Sequence, residues 1–124
     1  MRVLKTKAFA RFARKAALDD AALCKAVADA ERGLIDADLG GGVIKQRIAR
    51  RGRGKSGGFR TVILYRRSVR AFFVYGFAKS DRANVSQDEL AALKELASEM
   101  LAYNEAEITK AIESGPLIEV TCNE

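Results

Sequence analysis

Residues 43–79 read VIKQRIARRGRGKSGGFRTVILYRRSVRAFFVYGFAK, and this stretch decides the fold class. Three segments rich in β-branched and aromatic residues predict strands at 43–49, 59–65 and 69–78. Residues 66–68 are few enough for a hairpin turn, and a glycine-rich basic loop at 50–58 separates the first two segments. The stretch therefore predicts a small antiparallel sheet.

Helical patterns lie on both sides of this sheet. Apolar residues recur at helical spacing over 8–18 and 23–34, with Asp19 and Asp20 as N-cap candidates between the two runs. Ser86 and Glu89 have capping-box spacing before a third helix, whose Leu90 and Leu93 we assign to packing. That pattern runs on to 114–116, residues 3–4 could form an edge strand, and residues 117–120 could add another. The sequence predicts an α+β fold with two N-terminal helices and a C-terminal helical segment.

The overall composition indicates one folded domain. The 124 residues are 48% apolar and 31% charged, and no apolar run approaches the roughly 20 residues that a bilayer requires. Basic residues interrupt every candidate for a secretory leader near the N-terminus. We expect a cytoplasmic protein without a membrane segment.

Few residue types are available for chemistry. Cys24 and Cys122 are far apart in sequence, and we expect both to be ordinary thiols. The chain has no His, and neither cysteine has a second metal-ligand residue nearby, so we expect no metal and no cofactor. Any catalysis must use Lys, Arg, Tyr or carboxylates.

The charge is distributed unevenly. Between Leu39 and Lys79 there are eleven basic residues and no acidic one, whereas residues 83–124 hold nine acidic residues against two lysines. A basic block without acids repels itself unless a polyanion neutralises it, which favours contact with nucleic acid over an ordinary solvated surface. A membrane surface or an acidic protein remains the other possible partner.

Gly52, Gly54 and Gly57 match G-x-G-x-x-G, but a strand rather than a helix follows them, so a nucleotide site is not predicted. The glycines instead suit a flexible turn that brings cations close to a phosphate backbone. The cations of this turn that we expect to bind RNA are Arg50, Arg51, Arg53 and Lys55.

Strand periodicity groups a second set of cations. Lys45 and Arg47 share one face of the first strand, Arg60 opens the second, and Lys79 follows the third. Antiparallel pairing would let these four converge, although each could also lie on a solvent face. Most aromatic residues of the third strand are expected in the core, while Tyr65 and Tyr75 could line the site.

The chain resembles toxins of the RelE superfamily, especially the HigB-like branch. The resemblance rests on Ile44-Lys-Gln-Arg47, on Gly52-Arg-Gly-Lys-Ser-Gly-Gly-Phe-Arg60, and on Tyr75-Gly-Phe-Ala-Lys-Ser-Asp81 before the capped helix. It covers residues 1–102 as a RelE-like domain and leaves 103–124 as a helical extension and tail of the same domain.

The resemblance implies a toxin of a type II toxin–antitoxin system. Such a toxin is a metal-independent endoribonuclease that cleaves mRNA on the ribosome and is inhibited by a cognate antitoxin of the helix-turn-helix type. The resemblance carries catalytic roles to Lys45, Arg47, Arg60 and Lys79.

RNA brings its own nucleophile, the 2′-OH, so the protein needs a base, cations to stabilise the phosphorane, and an acid. Crowded cations disfavour the protonated form of a lysine, so Lys45 or Lys79 is the candidate base. Arg60 is the candidate to bind phosphate oxygens through its planar fork. The alternatives are a ParE-like gyrase inhibitor and a non-catalytic RNA-binding module.

Overall fold

The computed structural model describes residues 1–50 and 54–122, with the side chains of all of these except residues 50 and 54–57. In chain order, the elements are β1 (Arg2–Thr6), α1 (Lys7–Lys15), α2 (Asp20–Glu31), β2 (Ala37–Gly40), β3 (Val43–Arg50), β4 (Gly54–Arg66), β5 (Arg70–Ala78), α3 (Gln87–Met100), α4 (Glu105–Ser114) and β6 (Leu117–Glu119). No helix in the described ranges is long and apolar enough to cross a membrane.

The described strands form one six-stranded sheet in the order β2-β3-β4-β5-β1-β6. β1 runs parallel to β5, and the other neighbouring strands are antiparallel. Both faces of the sheet are covered. On one face α1 and α2 pack through Phe9, Leu23 and Val27 onto a core that includes Ile63 and Phe73.

The opposite face carries α3 and α4. Leu4, Val62 and Phe72 of the sheet pack there in a cluster with Ala97 and Ile108. Because each central strand contributes alternate residues to two cores, its register determines which side chains point to which helices.

Local sequence explains where the helices begin. The Asp19 side chain accepts a hydrogen bond from Ala22 N, and Ser86 and Glu89 form a reciprocal capping box, which confirms both predicted starts. A second capping box begins α4 at Asn104, so the predicted C-terminal helical segment is two helices rather than one. The α4 helix ends at Gly115, whose φ of 105° lies in the left-handed region that glycine favours.

The α+β class and the two N-terminal helices are confirmed, but the sheet is larger than predicted and mixed. β1 was expected at an edge but lies between β5 and β6. The sequence pattern did not reveal this position, because the parallel partners of β1, Arg70–Phe73, are remote in sequence. β2 was not predicted. β4 begins at Gly54 rather than residue 59, so a hairpin ladder includes glycines that local propensity assigns to a loop.

The prediction of two free thiols is wrong, because Cys24 and Cys122 form a disulfide with Cα atoms 5.6 Å apart. The pairing of β6 with β1 directs the chain end toward α2, where Thr121 N donates to Asp20 Oδ2 at 2.9 Å. The two cysteines are 98 positions apart in the sequence, so no local pattern could reveal their contact.

We expect a double Cys24→Ser, Cys122→Ser variant to have a free energy of unfolding lower by about 2–5 kcal/mol, because the bond closes a long loop in the unfolded chain. Denaturant unfolding under oxidising conditions measures the difference. Reductant should shift the midpoint of the unmodified protein and leave that of the double variant unchanged. Equal midpoints for the oxidised and reduced unmodified protein would contradict the expectation.

Candidate nucleic-acid interface

The central strands bring cations together at one end of the sheet. Arg47 of β3 lies opposite Arg60 of β4, and Arg60 lies opposite Phe77 of β5. Lys45 lies opposite Val62, two residues from Arg60 on the same face. We call the patch formed by Lys45, Arg47, Arg60, Tyr75 and Arg82 the basic face. It lies on the side of the sheet that carries α3.

An acid outside the basic block joins two of these cations. Arg47 Nε donates to Asp36 Oδ1 at 2.7 Å, and Lys45 Nζ lies 3.9 Å from Asp36 Oδ2. Lys45 Nζ also donates to Asn84 Oδ1 at 3.5 Å. Sequence reasoning missed Asp36. The glycine triplet at 40–42 was the available signal, because a hairpin there returns residues 36–39 alongside β3.

Gln46 fixes the position of this acid. Its side chain is buried, and its Oε1 accepts a hydrogen bond from Asp36 N at 2.8 Å. Its Nε2 donates to Ala26 O and Leu34 O, both at 3.0 Å. Alternation in β3 therefore places Lys45 and Arg47 on one face, while the amide of Gln46 between them holds the chain before β2 against α2.

Arg60 is more buried than an arginine that binds phosphate at a protein surface. The residue is only 4% exposed and occupies a strand with neighbours on both sides. Burying a guanidinium is costly unless other groups engage it, so this position is specialised. Arg60 thus lies at the bottom of the basic face, whereas the side chain of Arg47 on the neighbouring strand β3 is 48% exposed.

Lys79 has no described ion pair, so it shares no acidic partner with Lys45 and Arg47. It follows β5, donates its backbone N–H to Gly58 O at 3.3 Å, and has an exposed side chain. Of the predicted loop contacts, Arg51 and Arg53 lie outside the described residues. Arg50 ends β3 and Lys55 lies in β4, but their side chains also lie outside the description.

Arg82 is a site residue that the sequence analysis missed. Its Nη1 donates to Tyr75 Oη at 2.8 Å, and its guanidinium carbon lies 5.8 Å from the centroid of the Tyr75 ring and 5.5 Å from that of Phe77. Its Nη2 also bonds Glu89 of α3 at 2.5 Å. The sequence signal for this contact was the alternation of Tyr75 and Phe77 in the strand, followed by an arginine shortly after the strand ends. Arg82 thereby fixes the connection to α3 over the end of β5.

Tyr75 and Tyr65 have different surroundings. Tyr75 and Phe77 line a cleft of about 540 Å³ with Phe12, Phe59, Lys15 and Arg82. Tyr65 instead donates to Glu31 of α2 on the other face of the sheet, and burial together with this hydrogen bond raises its pKa. The expectation that Tyr65 could line the site is therefore wrong.

Acids from neighbouring segments neutralise part of the basic block, which has no acidic residue of its own. Asp36 pairs with Lys45 and Arg47, and Glu105 of α4 pairs with Arg70 at 2.7 Å. Among the described residues, no group of three or more His, Cys, Asp or Glu side chains could hold a metal ion.

We expect the Glu89 carboxyl to titrate well below its ordinary range. The hydrogen bond from Arg82 and that from Ser86 N lower its pKa from 4.5 to about 2. A depressed pKa in the folded state means that this interaction stabilises the fold above pH 4.5 and that its contribution is lost as the pH falls toward 2. Carbon-detected NMR titration measures the midpoint. Arg82→Gln should raise it, whereas Lys110→Gln should not, and a midpoint near 4.5 in the unmodified protein would contradict the pairing.

Comparison with known families gives one match. A family model described as the RelE toxin of the RelE/RelB toxin–antitoxin system matches residues 1–120. Searches of curated proteins and of solved structures returned no match. The family match runs from β1 through β6, and so includes every strand and helix that supports the basic face. The chain belongs to the RelE family of toxins from toxin–antitoxin systems.

Proposed function

We propose that this protein is a HigB-like, ribosome-dependent endoribonuclease that cleaves mRNA without a metal ion. The observation that carries the proposal is the pairing of Arg47 with Arg60 on the sheet face that also holds Lys45. Three cations in this arrangement suit a phosphodiester whose charge rises during cleavage.

In the proposed reaction, the 2′-OH attacks the adjacent phosphorus and the bond to the 5′-oxygen breaks. The products are a 2′,3′-cyclic phosphate and a 5′-hydroxyl, whose proton comes from solvent water. Arg47 and Arg60 bind the non-bridging oxygens, and Lys45 or Lys79 accepts the proton of the 2′-OH. The cleft beside Tyr75 and Phe77 provides aromatic and cationic walls for a neighbouring nucleotide.

We also propose that a helix-turn-helix antitoxin inhibits the toxin by covering or distorting the basic face, and that both act in the cytoplasm. The chain acts as one domain with residues 103–124 as its extension. The extension supports the sheet because β6 pairs with β1 and Ile108 is buried against Leu4 and Leu117. The cations at and between the ends of β3 and β4, which are Arg50, Arg51, Arg53 and Lys55, would hold the RNA backbone.

The test of this function is cleavage of a defined mRNA by the purified protein. We expect mRNA in programmed ribosomes to be cut much faster than the same RNA in buffer, because a site without histidine depends on substrate positioning. Mapping the cut ends by primer extension gives the positions. Equal rates on free RNA would contradict ribosome dependence. An mRNA that stays uncleaved on the ribosome would contradict the proposed nuclease activity.

Arg60→Lys tests whether the planar fork takes part in the chemical step. The substitution retains the charge and loses bidentate binding, so the single-turnover rate on saturated ribosomes should fall by about 10- to 1000-fold with little change in affinity. Arg66→Lys is the matched control, since Arg66 lies on the same strand and face at its other end.

Thermal unfolding of both variants accompanies these rates, because Arg60 is buried. An unchanged rate for folded Arg60→Lys would restrict Arg60 to an electrostatic contact. The catalytic assignment would then rest on Lys45, Arg47 and Lys79.

A further inference from the structure

Asp36 is the acid that contacts two cations of the basic face, and a negative charge there opposes the binding of a phosphate. We infer that Asp36 is a positioning residue, which holds Arg47 by its Nε so that Nη1 and Nη2 face the RNA. This inference rests on the proposed cleavage of RNA. It assigns a role to a carboxylate that the family resemblance did not identify.

The geometry divides the guanidinium of Arg47 into two parts. Its Nε donates to Asp36 Oδ1 at 2.7 Å. Within the described part of the chain, Nη1 and Nη2 have no hydrogen-bond partner, and the side chain is 48% exposed. The two terminal nitrogens can still bind two phosphate oxygens, because a guanidinium presents its donors in a fixed plane.

Asp36 is itself held before any ligand arrives. Its carboxylate side chain is only 13% exposed. Its backbone N–H donates to buried Gln46, whose amide is bonded to Ala26 O and Leu34 O. A ligand-orienting group needs support of this kind, because orientation is lost when the supporting residue moves.

The same carboxylate also confines Lys45. Its Nζ lies between Asp36 Oδ2 at 3.9 Å and Asn84 Oδ1 at 3.5 Å, and these partners come from opposite sides of the basic face. One acid therefore restrains both cations of the Lys45-Gln46-Arg47 segment, and the amide between them holds the acid.

Stability alone is a weak reason for this arrangement. The Arg47–Asp36 ion pair has one half-exposed partner, and salt screens such pairs, so the pair contributes little to stability. The negative charge of the Asp36 carboxylate also repels a phosphate ligand. Its two effects on RNA cleavage therefore have opposite signs: it weakens binding through charge and speeds the reaction through orientation.

Two substitutions separate these effects, with a third as a control. In Asp36→Asn the amide oxygen can still accept from Arg47 Nε, whereas Asp36→Ala removes the acceptor. Asp38→Ala removes a nearby exposed carboxylate whose described hydrogen bond comes from Gly40 N rather than from a cation. Single-turnover cleavage on programmed ribosomes gives the rate, and binding of ribosomes carrying mRNA with a 2′-deoxy scissile nucleotide gives the affinity.

We expect Asp36→Ala to lower the saturated rate by about 10- to 100-fold, the scale at which a misplaced supporting group affects a reaction. Affinity for the uncleavable complex should stay equal or increase. Asp36→Asn should keep the rate within about threefold and increase affinity, and Asp38→Ala should leave the rate unchanged. A full rate for Asp36→Ala, or an equal loss for Asp36→Asn, would overturn the positioning role.

An NMR measurement does not depend on cleavage. The Arg47 Nε–H should exchange slowly with solvent in the unmodified protein and in Asp36→Asn, and rapidly in Asp36→Ala. It should stay protected when a 2′-deoxy RNA oligonucleotide binds. Loss of protection on binding would overturn the inference, because RNA would then displace Asp36. Absence of cleavage by the unmodified protein would instead contradict the proposed function.

Discussion

The antiparallel pairing of β3 with β4 is the constraint on which the rest of the structure depends. It places Ile44 opposite Ile63 in the core beneath α1 and α2, and Arg47 opposite Arg60 on the other face. A shift of one residue would exchange the two faces of β3. It would turn Lys45 and Arg47 toward α2 and move Ile44 to the side of the sheet that carries α3, so the hydrophobic core and the basic face are fixed by the same register.

Gln46 connects that register to the chain before β2. Its amide donates to the carbonyls of Ala26 and Leu34 and accepts from the N–H of Asp36, so both polar atoms of this buried side chain have partners. The helix α2, the chain that connects it to β2 and the cationic strand are thus one hydrogen-bonded unit. On the other side of the basic face, Arg82 makes a similar connection, because its hydrogen bonds join β5 to the first turn of α3.

Sequence patterns were sufficient to predict the structure where the contacts that determine it are local. Asp19, Ser86 and Glu89 carry the capping signals within a few residues of the groups they bond, and period-two alternation put Lys45 and Arg47 on one face. They were insufficient where the partner is remote. The interior place of β1, the bond between Cys24 and Cys122, and the contact of Asp36 with Lys45 all depend on the tertiary course of the chain.

The place of β1 between β5 and β6 affects the order in which the protein can fold during its synthesis. Arg2–Thr6 leaves the ribosome before the other five strands, but its parallel partner begins at Arg70 and its other neighbour at Leu117. β3, β4 and β5 are joined by short connections and can pair with one another earlier. A nascent chain that ends before Leu117 has an open edge on β1 and lacks part of the cover over Leu4. The sheet can therefore be completed only after Leu117–Glu119 has been made, later than the strands of the basic face.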